Sequence, residues 1–265
     1  MHEQNSETTD DVYIGTILLE PNRWGRPKTP TYRVSDWLGR FEQAGFDGME
    51  LWQYHATLAG ADETAALEAS PVPVAVYSTY CDFDDASEPD RLAAARTARR
   101  LAARGVKFNI GRDPALRDQY VRNLRHWAGL FDDGVRLLCE CHGGTIVERP
   151  DEAARLFDEI GRDRFKVIVH CFGRDVDLLR EWFRHFGAAV THSHVALRDG
   201  QRSARLRSDP AHVREVLTVM RGEGYAGSFT LEFTEGTGSP DESIDGLWRA
   251  ALEDLHFLRE CLESA

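Results

Sequence analysis

The sequence lacks an excess of positive charge. Its 265 residues include 44 Asp and Glu against 32 Lys and Arg, which gives a formal net charge of −12 at pH 7. Nucleic-acid-binding proteins draw much of their affinity from basic side chains that displace counterions from phosphates. The composition therefore argues against a nucleic-acid partner, unless a local basic patch supplies the contacts.

Long apolar runs, a targeting segment and an even set of cysteines are also missing. No stretch approaches the roughly 20 apolar residues that cross a bilayer. The opening MHEQNSETTDD is acidic, whereas a secretory signal begins with positive charge. Five cysteines are odd in number and do not suit a disulfide framework. We expect a soluble, cytoplasmic protein without a membrane partner, with a disordered polar tail over residues 1–11.

What the sequence does contain is a regular alternation of strand-like and helix-like segments. The strand-like segments are short, rich in Val, Ile, Leu and Phe, and bounded by Gly or polar residues. Eight strands are predicted, at Val12–Leu19, Gly48–Trp52, Val72–Ser78, Val106–Ile110, Val135–Cys141, Lys166–Cys171, Ala188–Val195 and Ser228–Phe233. Each is followed by an amphipathic helical segment or by a stretch long enough to hold one.

Eight strand–helix units in about 250 residues are typical of the (β/α)8 barrel. An open, doubly wound sheet normally has a Gly-rich phosphate turn after its first strand, whereas this chain has Leu18-Leu19-Glu20-Pro21-Asn22 there. No linker rich in Ser or Pro divides the chain. The sequence therefore predicts an α/β protein, a single (β/α)8 TIM barrel whose catalytic domain covers residues 12–262.

Polar residues interrupt the last four predicted strands near their C-terminal ends, at the rim where barrel active sites lie. They are Glu140, His170, His194 and Glu232. An isolated buried carboxylate costs several kcal/mol unless it is paired or bound to a cation. Two Glu and two His on neighbouring strands therefore predict a site for one divalent metal ion. Carboxylate and imidazole ligands suit manganese, cobalt, zinc or iron better than calcium.

Two further histidines lie beside these predicted ligands. His192 precedes His194 by two residues and so faces the same side of its strand, one layer deeper, where we expect it to hydrogen-bond a metal ligand. His142 follows Glu140 where the strand becomes loop, a position from which we expect it to contact substrate.

Several segments resemble the sugar phosphate isomerase/epimerase superfamily, whose members are xylose isomerase-like TIM barrels. FDGMELW at 46–52 resembles the second strand of that family, and CECHGGT at 139–145 its fifth-strand segment. HSHVALRD at 192–199 resembles the seventh strand, and LEF at 231–233 the final strand, which ends in Glu. The resemblance extends over roughly residues 12 to 262, with the motifs in the family's order.

The resemblance implies one divalent metal ion held by Glu140, His170, His194 and Glu232. We expect manganese, with zinc, cobalt, iron or magnesium as alternatives. The sixth strand departs from the family pattern, which usually has Asp where this chain has His170, and a substrate-contacting His where it has Gly173. Replacing a carboxylate by a neutral imidazole raises the charge of the site by one.

The expected substrate is a small sugar or cyclitol that binds at the same rim. The predicted contacts lie at strand ends or in rim loops and comprise His142, Arg198, Glu50, Trp52 and Asn109. Arg198 stands where the family often has Lys; its planar fork would hold a carboxylate or a pair of hydroxyls, or would pair with Asp199. A homo-oligomer is compatible with the sequence.

The predicted chemistry is proton abstraction next to a carbonyl. A divalent ion chelated by the substrate carbonyl and a neighbouring hydroxyl stabilises an enediolate, while Glu140 and Glu232 remove and return the proton, which yields an isomerase or epimerase. Expulsion of a β leaving group would instead make the site a lyase, as in the inosose dehydratase and C-glycoside-cleaving members of the superfamily.

Two other functions are weighed against these. A sugar-binding barrel without turnover would retain the cavity, but the presence of both carboxylates argues against it. The apurinic endonuclease branch needs additional His ligands on strands two to four, whereas the ends of those strands here carry Glu50, Tyr77 and Asn109 and no pair of histidines.

Overall fold

The protein folds as a closed barrel of eight parallel strands. The computed structural model describes residues 10–264, so most of the predicted tail, residues 1–9, lies outside the described residues. The barrel strands are β1 Val12–Gly15, β2 Gly48–Trp52, β3 Val74–Ser78, β4 Gly105–Phe108, β5 Arg136–Glu140, β6 Phe165–His170, β7 Val190–Val195 and β10 Ser228–Leu231. Each strand pairs with the next in this order, and β10 pairs with β1. The predicted (β/α)8 barrel is confirmed.

Helices surround the barrel and alternate with its strands. They are α1 Leu38–Ala44, α2 Gln53–Thr57, α3 Ala61–Glu68, α4 Glu88–Arg100, α5 Arg117–Ala128, α6 Pro150–Ile160, α7 Val176–Phe186, α8 Pro210–Gly222 and α9 Ile244–Leu262. α7 shows why these segments are helical: Leu179, Trp182, Phe183 and Phe186 recur every three or four residues and are buried. Among the described residues, no helix has the length and apolar character to cross a membrane.

The first strand is shorter than predicted. β1 ends at Gly15, and Thr16–Leu19 forms a 3-10 helix that turns over the barrel rim. The hydroxyl oxygen of Thr16 accepts a hydrogen bond from the Trp52 backbone amide, which ties the turn to β2. Leu18 and Leu19 are buried in this turn, so the apolar run looked like a continuing strand, a confusion that hydrophobic pattern alone does not resolve.

A small antiparallel hairpin was not predicted. Its strands are β8 Leu197–Asp199 and β9 Arg202–Ala204, directly after β7. The backbone carbonyl of Arg198 accepts hydrogen bonds from Nε and Nη2 of Arg174, at 3.2 and 3.0 Å, which fasten the hairpin to the loop after β6. The hairpin therefore holds Arg198 at the C-terminal rim.

The barrel interior changes character along its axis. Tyr13, Ala75, Val76, Leu138 and Ile168 form an apolar inner layer. Closer to the C-terminal ends of the strands, the buried inward-facing residues are ionisable and include Glu50, Lys107 and His192. Buried charges of this kind persist only when they are paired or bind a cation. The interior therefore places the site at the rim that the sequence predicts.

α9 is joined to this rim by a buried carboxylate. Asp254 accepts hydrogen bonds from the Thr234 hydroxyl and the Leu206 backbone amide. Burial raises the pKa of Asp254 to about 6, although both hydrogen bonds oppose the shift. The folded protein therefore binds this proton more tightly than the unfolded chain, in which Asp titrates near a pH of about 3.9. The stability that this proton provides is complete below about pH 4 and is lost as pH rises through about 6.

We expect Asp254→Asn to gain about 2 kcal/mol of stability relative to the wild type between about pH 4 and pH 7, because Asn has no proton to lose. Urea unfolding across that range measures the difference. Glu253→Gln, at the exposed neighbouring position, should show no such trend. If the stability difference between Asp254→Asn and the wild type stays constant with pH, the assignment of the proton to Asp254 is wrong.

Candidate metal centre and substrate cavity

Four neighbouring strand ends bring the predicted metal ligands together. One ligand atom from each of Glu140, His170, His194 and Glu232 lies within 4.8 Å of the others. His194 Nδ1 is 3.4 Å from Glu140 Oε1 and 3.6 Å from Glu232 Oε2. His170 Nε2 is 3.1 Å from Glu140 Oε1. The strand order β5, β6, β7, β10 places the two carboxylates on either side of the two imidazoles.

Two atoms of this cluster are buried without a hydrogen-bond partner. They are Nδ1 of His194 and Oε2 of Glu232, and both face the middle of the cluster. Leaving a buried polar atom unsatisfied costs about 1–3 kcal/mol. A divalent cation would satisfy both atoms at once, and two carboxylates with two imidazoles are a donor set that transition-metal ions accept. The residues present therefore fit a metal ion.

A buried carboxylate lies beneath the cluster and orients one ligand. Glu50 Oε2 is 3.1 Å from Nε2 of His194, on the far side of the ring from Nδ1. Burial would lower the pKa of His194, but the carboxylates of Glu50 and Glu232 raise it well above its ordinary value. A metal ion would displace the Nδ1 proton, and the Nε2 proton donated to Glu50 would then fix the tautomer that offers the Nδ1 lone pair to the centre of the cluster.

This position of Glu50 differs from the predicted one. We expected a substrate contact, but the side chain is buried below His194 and is not part of the cavity wall. His192 lies in the same deeper layer, but its hydrogen bonds do not go to a metal ligand as the sequence predicts. Its Nε2 is 3.4 Å from Glu50 Oε2, and its two nitrogens hydrogen-bond the hydroxyls of Ser228 and Thr230. Any effect of His192 on the metal ligands would therefore pass through Glu50.

We expect Glu50→Gln to weaken metal binding about 10- to 100-fold, because the loss of this carboxylate makes His194 a poorer ligand. Gln keeps the shape and an acceptor oxygen, so the fold should survive. Calorimetric titration of the purified protein with Mn²⁺ or Zn²⁺ measures the change. Glu63→Gln is the matched control, since Glu63 is also buried but bonds Arg33 and Ser35 away from the cluster. Equal affinities for the two variants would contradict the role assigned to Glu50.

A buried lysine that the sequence analysis did not single out contacts one of the ligands. Lys107 on β4 is 2% exposed, and its Nζ is 2.6 Å from Glu140 Oε2. Asn109 Nδ2 donates to the same oxygen at 3.0 Å. Burial would raise the pKa of Glu140, but Lys107, His170 and His194 hold it well below its ordinary value. The signal was present in the sequence: a lysine inside an apolar strand, where lysine is almost never buried unpaired.

A cavity of about 770 Å³ opens above the cluster. His142, Asn109 and Arg198 all line it, as do Glu140 and Glu232, so three of the predicted substrate contacts share one wall with the carboxylates. A second cavity of about 700 Å³ borders Tyr32, His55 and Glu63 and contains none of the proposed ligands.

Trp52, the remaining predicted contact, does not reach the cavity. It is 1% exposed because the chain turns into α2 immediately after it. Tyr54 and His55 then fold over the indole, with ring centroids 4.7 and 5.2 Å away. The aromatic side chains in the cavity wall are instead Trp24, Tyr80, Tyr120 and Phe233.

Comparison with protein families gives one match, to the family described as xylose isomerase-like TIM barrel, over residues 38–261. No curated protein matches the chain.

Solved structures with the same architecture are numerous. L-ribulose 3-epimerase superposes with a TM-score of 0.70 at 14% identity, covering 96% of this chain and 95% of that one. The probable 3-DHS dehydratase of petrobactin synthesis from Bacillus anthracis gives 0.66 at 16% identity, covering 93% and 98%. A xylose isomerase-like TIM barrel protein from Mycobacterium smegmatis in complex with magnesium gives 0.65 at 15% identity, covering 97% of each chain. At such identities the likeness shows a shared fold.

Proposed function

Because this chain belongs to the xylose isomerase-like TIM barrel family, we propose that it is a metal-dependent enzyme that isomerises or epimerises a sugar or cyclitol ketone. The observation that supports this most strongly is the pair of buried, unpartnered atoms, Nδ1 of His194 and Oε2 of Glu232, that face one another across the cluster. A protein that only bound a sugar would not need to leave both atoms unsatisfied.

Glu140, His170, His194 and Glu232 would hold the metal ion, for which manganese is our first candidate and zinc, cobalt, iron and magnesium are alternatives. When bound, such an ion supplies Lewis-acid stabilisation of the negative charge that develops on the substrate oxygen. Glu50 fixes the tautomer of His194, and Lys107 with Asn109 fixes the orientation of Glu140.

The two carboxylates differ in what holds them, and this difference assigns their roles. Glu140 is bound by Lys107, Asn109 and His170, so its oxygens are already engaged. Glu232 accepts no hydrogen bond from the described residues while its side chain lines the cavity, so Oε2 can bind the metal ion and Oε1 stays free to accept a proton. Glu232 therefore removes the proton next to the substrate carbonyl. Glu140, with the Lys107 ammonium behind it, lies on the other side of the cluster, where a proton is returned.

The same lysine gives specific support to a second candidate, a dehydratase. Lys107 lines the cavity, and its buried ammonium lies against Glu140; burial alone would lower the pKa of the lysine, but Glu140 raises it. An ammonium at this position can stabilise the charge on a departing hydroxide by hydrogen bonding, and the proton that Glu232 has removed completes the water molecule. Elimination would then replace isomerisation without any change in the ligands.

Metal analysis of the purified protein, followed by deuterium incorporation from D₂O into candidate ketoses and inososes, tests these proposals. About one divalent ion per chain and exchange at a single carbon without loss of water support the isomerase or epimerase. Metal uptake with loss of water supports the dehydratase. Failure to bind any divalent ion overturns both, and metal binding without exchange or elimination on the whole panel favours a binding protein.

A further inference from the structure

The wall of the substrate cavity carries cationic side chains that the metal cluster does not use. Lys28, Arg112 and Arg198 line it in addition to Lys107. Arginines elsewhere on the rim pair with carboxylates, as Arg174 does with Asp209. Within residues 10–264, neither Arg112 nor Arg198 lies within ion-pair distance of an acidic side chain. Two guanidinium groups thus line the cavity without an ion-pair partner in the described part of the chain.

Arg198 is held in place by its backbone, so its guanidinium stays available. The two hydrogen bonds from Arg174 to its carbonyl anchor the hairpin. Its guanidinium carbon lies 5.8 Å from the centre of the Phe233 ring, and Phe233 directly follows Glu232. The guanidinium makes one long contact, 3.4 Å to the carbonyl of Gln201. Its planar fork therefore lies against Phe233, in the same cavity wall as the proposed catalytic base, with most of its donors unused by the described residues.

Arg112 approaches from the loop after β4, whereas Arg198 follows β7. In the barrel, β5 and β6 lie between these two strands. The Arg112 loop packs tightly on α5, because a Cβ at Gly111 would lie 2.3 Å from the Tyr120 ring. The two arginines therefore flank the part of the rim that carries Glu140 and His170.

Three carboxylates in the same wall bond backbone amides and form no ion pair with these two arginines. Asp84 and Asp113 accept hydrogen bonds from the backbone amides of Ser87 and Ala115 at the starts of 3-10 turns, and Asp82 accepts one from the amide of Phe83. Hydrogen bonds from backbone amides stabilise a carboxylate where it stands. Deeper in the cavity, Lys107 balances the charge of Glu140.

From this arrangement we propose that the substrate carries an oxyanion group, a carboxylate, which Arg198 and Arg112 bind while its carbonyl end faces Glu232. This inference rests on the proposed function, since it assigns the substrate class of the same site. A guanidinium fork matches a carboxylate through two parallel hydrogen bonds, and a phosphate ester offers similar oxygens. A neutral sugar leaves both arginines without a counter-charge.

The test measures binding to the metal-saturated protein by calorimetry and thermal shift. The probes are D-galacturonate and D-glucuronate, the neutral sugars D-galactose and D-glucose, and D-glucose 6-phosphate. We expect the uronates to bind more tightly than the neutral sugars. Arg198→Gln and Arg112→Gln should each weaken uronate binding about 10- to 100-fold, the effect of losing a charged hydrogen-bonding pair. Arg202→Gln, on the same hairpin but outside the cavity wall, is the matched control.

Each other outcome contradicts the inference. If the sugar phosphate binds more tightly than the uronates, the anionic group of the substrate is a phosphate and the assignment of a carboxylate is wrong. Equal binding of neutral and charged sugars, or no binding by any probe, would overturn the anionic substrate. The metal titration is run first, on the wild type and on all three variants. A wild-type protein that takes up no metal ion refutes the proposed function. A wild-type protein that takes up the metal ion but binds neutral and anionic sugars equally well refutes only this inference.

Discussion

Lys107→Met is expected to lower turnover about 100- to 1000-fold, the range found when a preorganised electrostatic partner is removed from an active site. Methionine fills the space of the lysine stem, but Glu140 loses the ammonium 2.6 Å from its Oε2. The metal-free variant should also be less stable, by about 3 kcal/mol, because a buried carboxylate is left without its cation. The affinity for the metal ion should rise, because the substitution removes a positive charge that lies beside Glu140 and repels the cation.

This opposite response of metal affinity and turnover is what distinguishes Lys107 from an ordinary structural lysine. The measurements are calorimetric metal titration, urea unfolding with and without metal, and the rate of deuterium exchange on whichever compound the wild-type protein labels. Lys166→Met is the control, because Lys166 lies on β6, the other neighbour of the Glu140 strand, but is only half-buried and has no ion pair with Glu140. A Lys107→Met protein that binds metal more weakly and turns over normally would contradict the proposed charge balance.

The barrel fold and the convergence of four proposed metal ligands on one rim can be predicted from the sequence for the same reason. Strands buried on both faces are almost continuously apolar, so a polar residue near a strand end is conspicuous. Glu140, His170 and His194 each stood out in this way. Parallel strands of a closed barrel have their C-terminal ends at one rim, so strand order alone places residues that are far apart in sequence close together.

What could not be predicted was depth along the barrel axis. Strand alternation indicates which face a side chain points to, and Glu50 and Trp52 share one face of β2. Glu50 lies beside Gly15 and Val76 in the strand register, which puts it below His194 rather than at the rim. Trp52 is covered by the turn into α2. The register of the strands and the course of the rim loops depend on pairing between residues far apart in the sequence. The local alternation of apolar and polar residues contains no information about that pairing.

Lys107 was missed for a different reason. Lysine is normally a surface residue, so a single lysine in an apolar strand is expected to point to solvent and does not by itself indicate a buried ion pair. Its partner Glu140 lies 33 positions further along the chain, and only the pairing of β4 with β5 brings the two together. The roles of the two glutamates depend on this contact, so they could not be separated from sequence.

Glu232→Gln is expected to reduce deuterium exchange about 1000- to 10,000-fold, the upper range for loss of a general base. Glutamine retains an oxygen that can face the cluster, so the variant should still take up one metal ion at saturating concentration, though more weakly. The rate loss should therefore persist when the metal is in excess. Glu235→Gln serves as the control, because Glu235 lies three residues further on, is exposed and pairs with Arg205.

A comparison with Glu140→Gln tests which of the two glutamates is the catalytic base. Glu140 is held by Lys107, Asn109 and His170, so its loss should first disturb metal binding, and excess metal should restore part of the exchange rate. Glu232 has an oxygen with no hydrogen-bond partner, and no excess of metal replaces a missing base. If Glu232→Gln with saturating metal exchanges deuterium as fast as the wild type, another group in the cavity wall removes the proton. The separate roles assigned to Glu140 and Glu232 are then wrong.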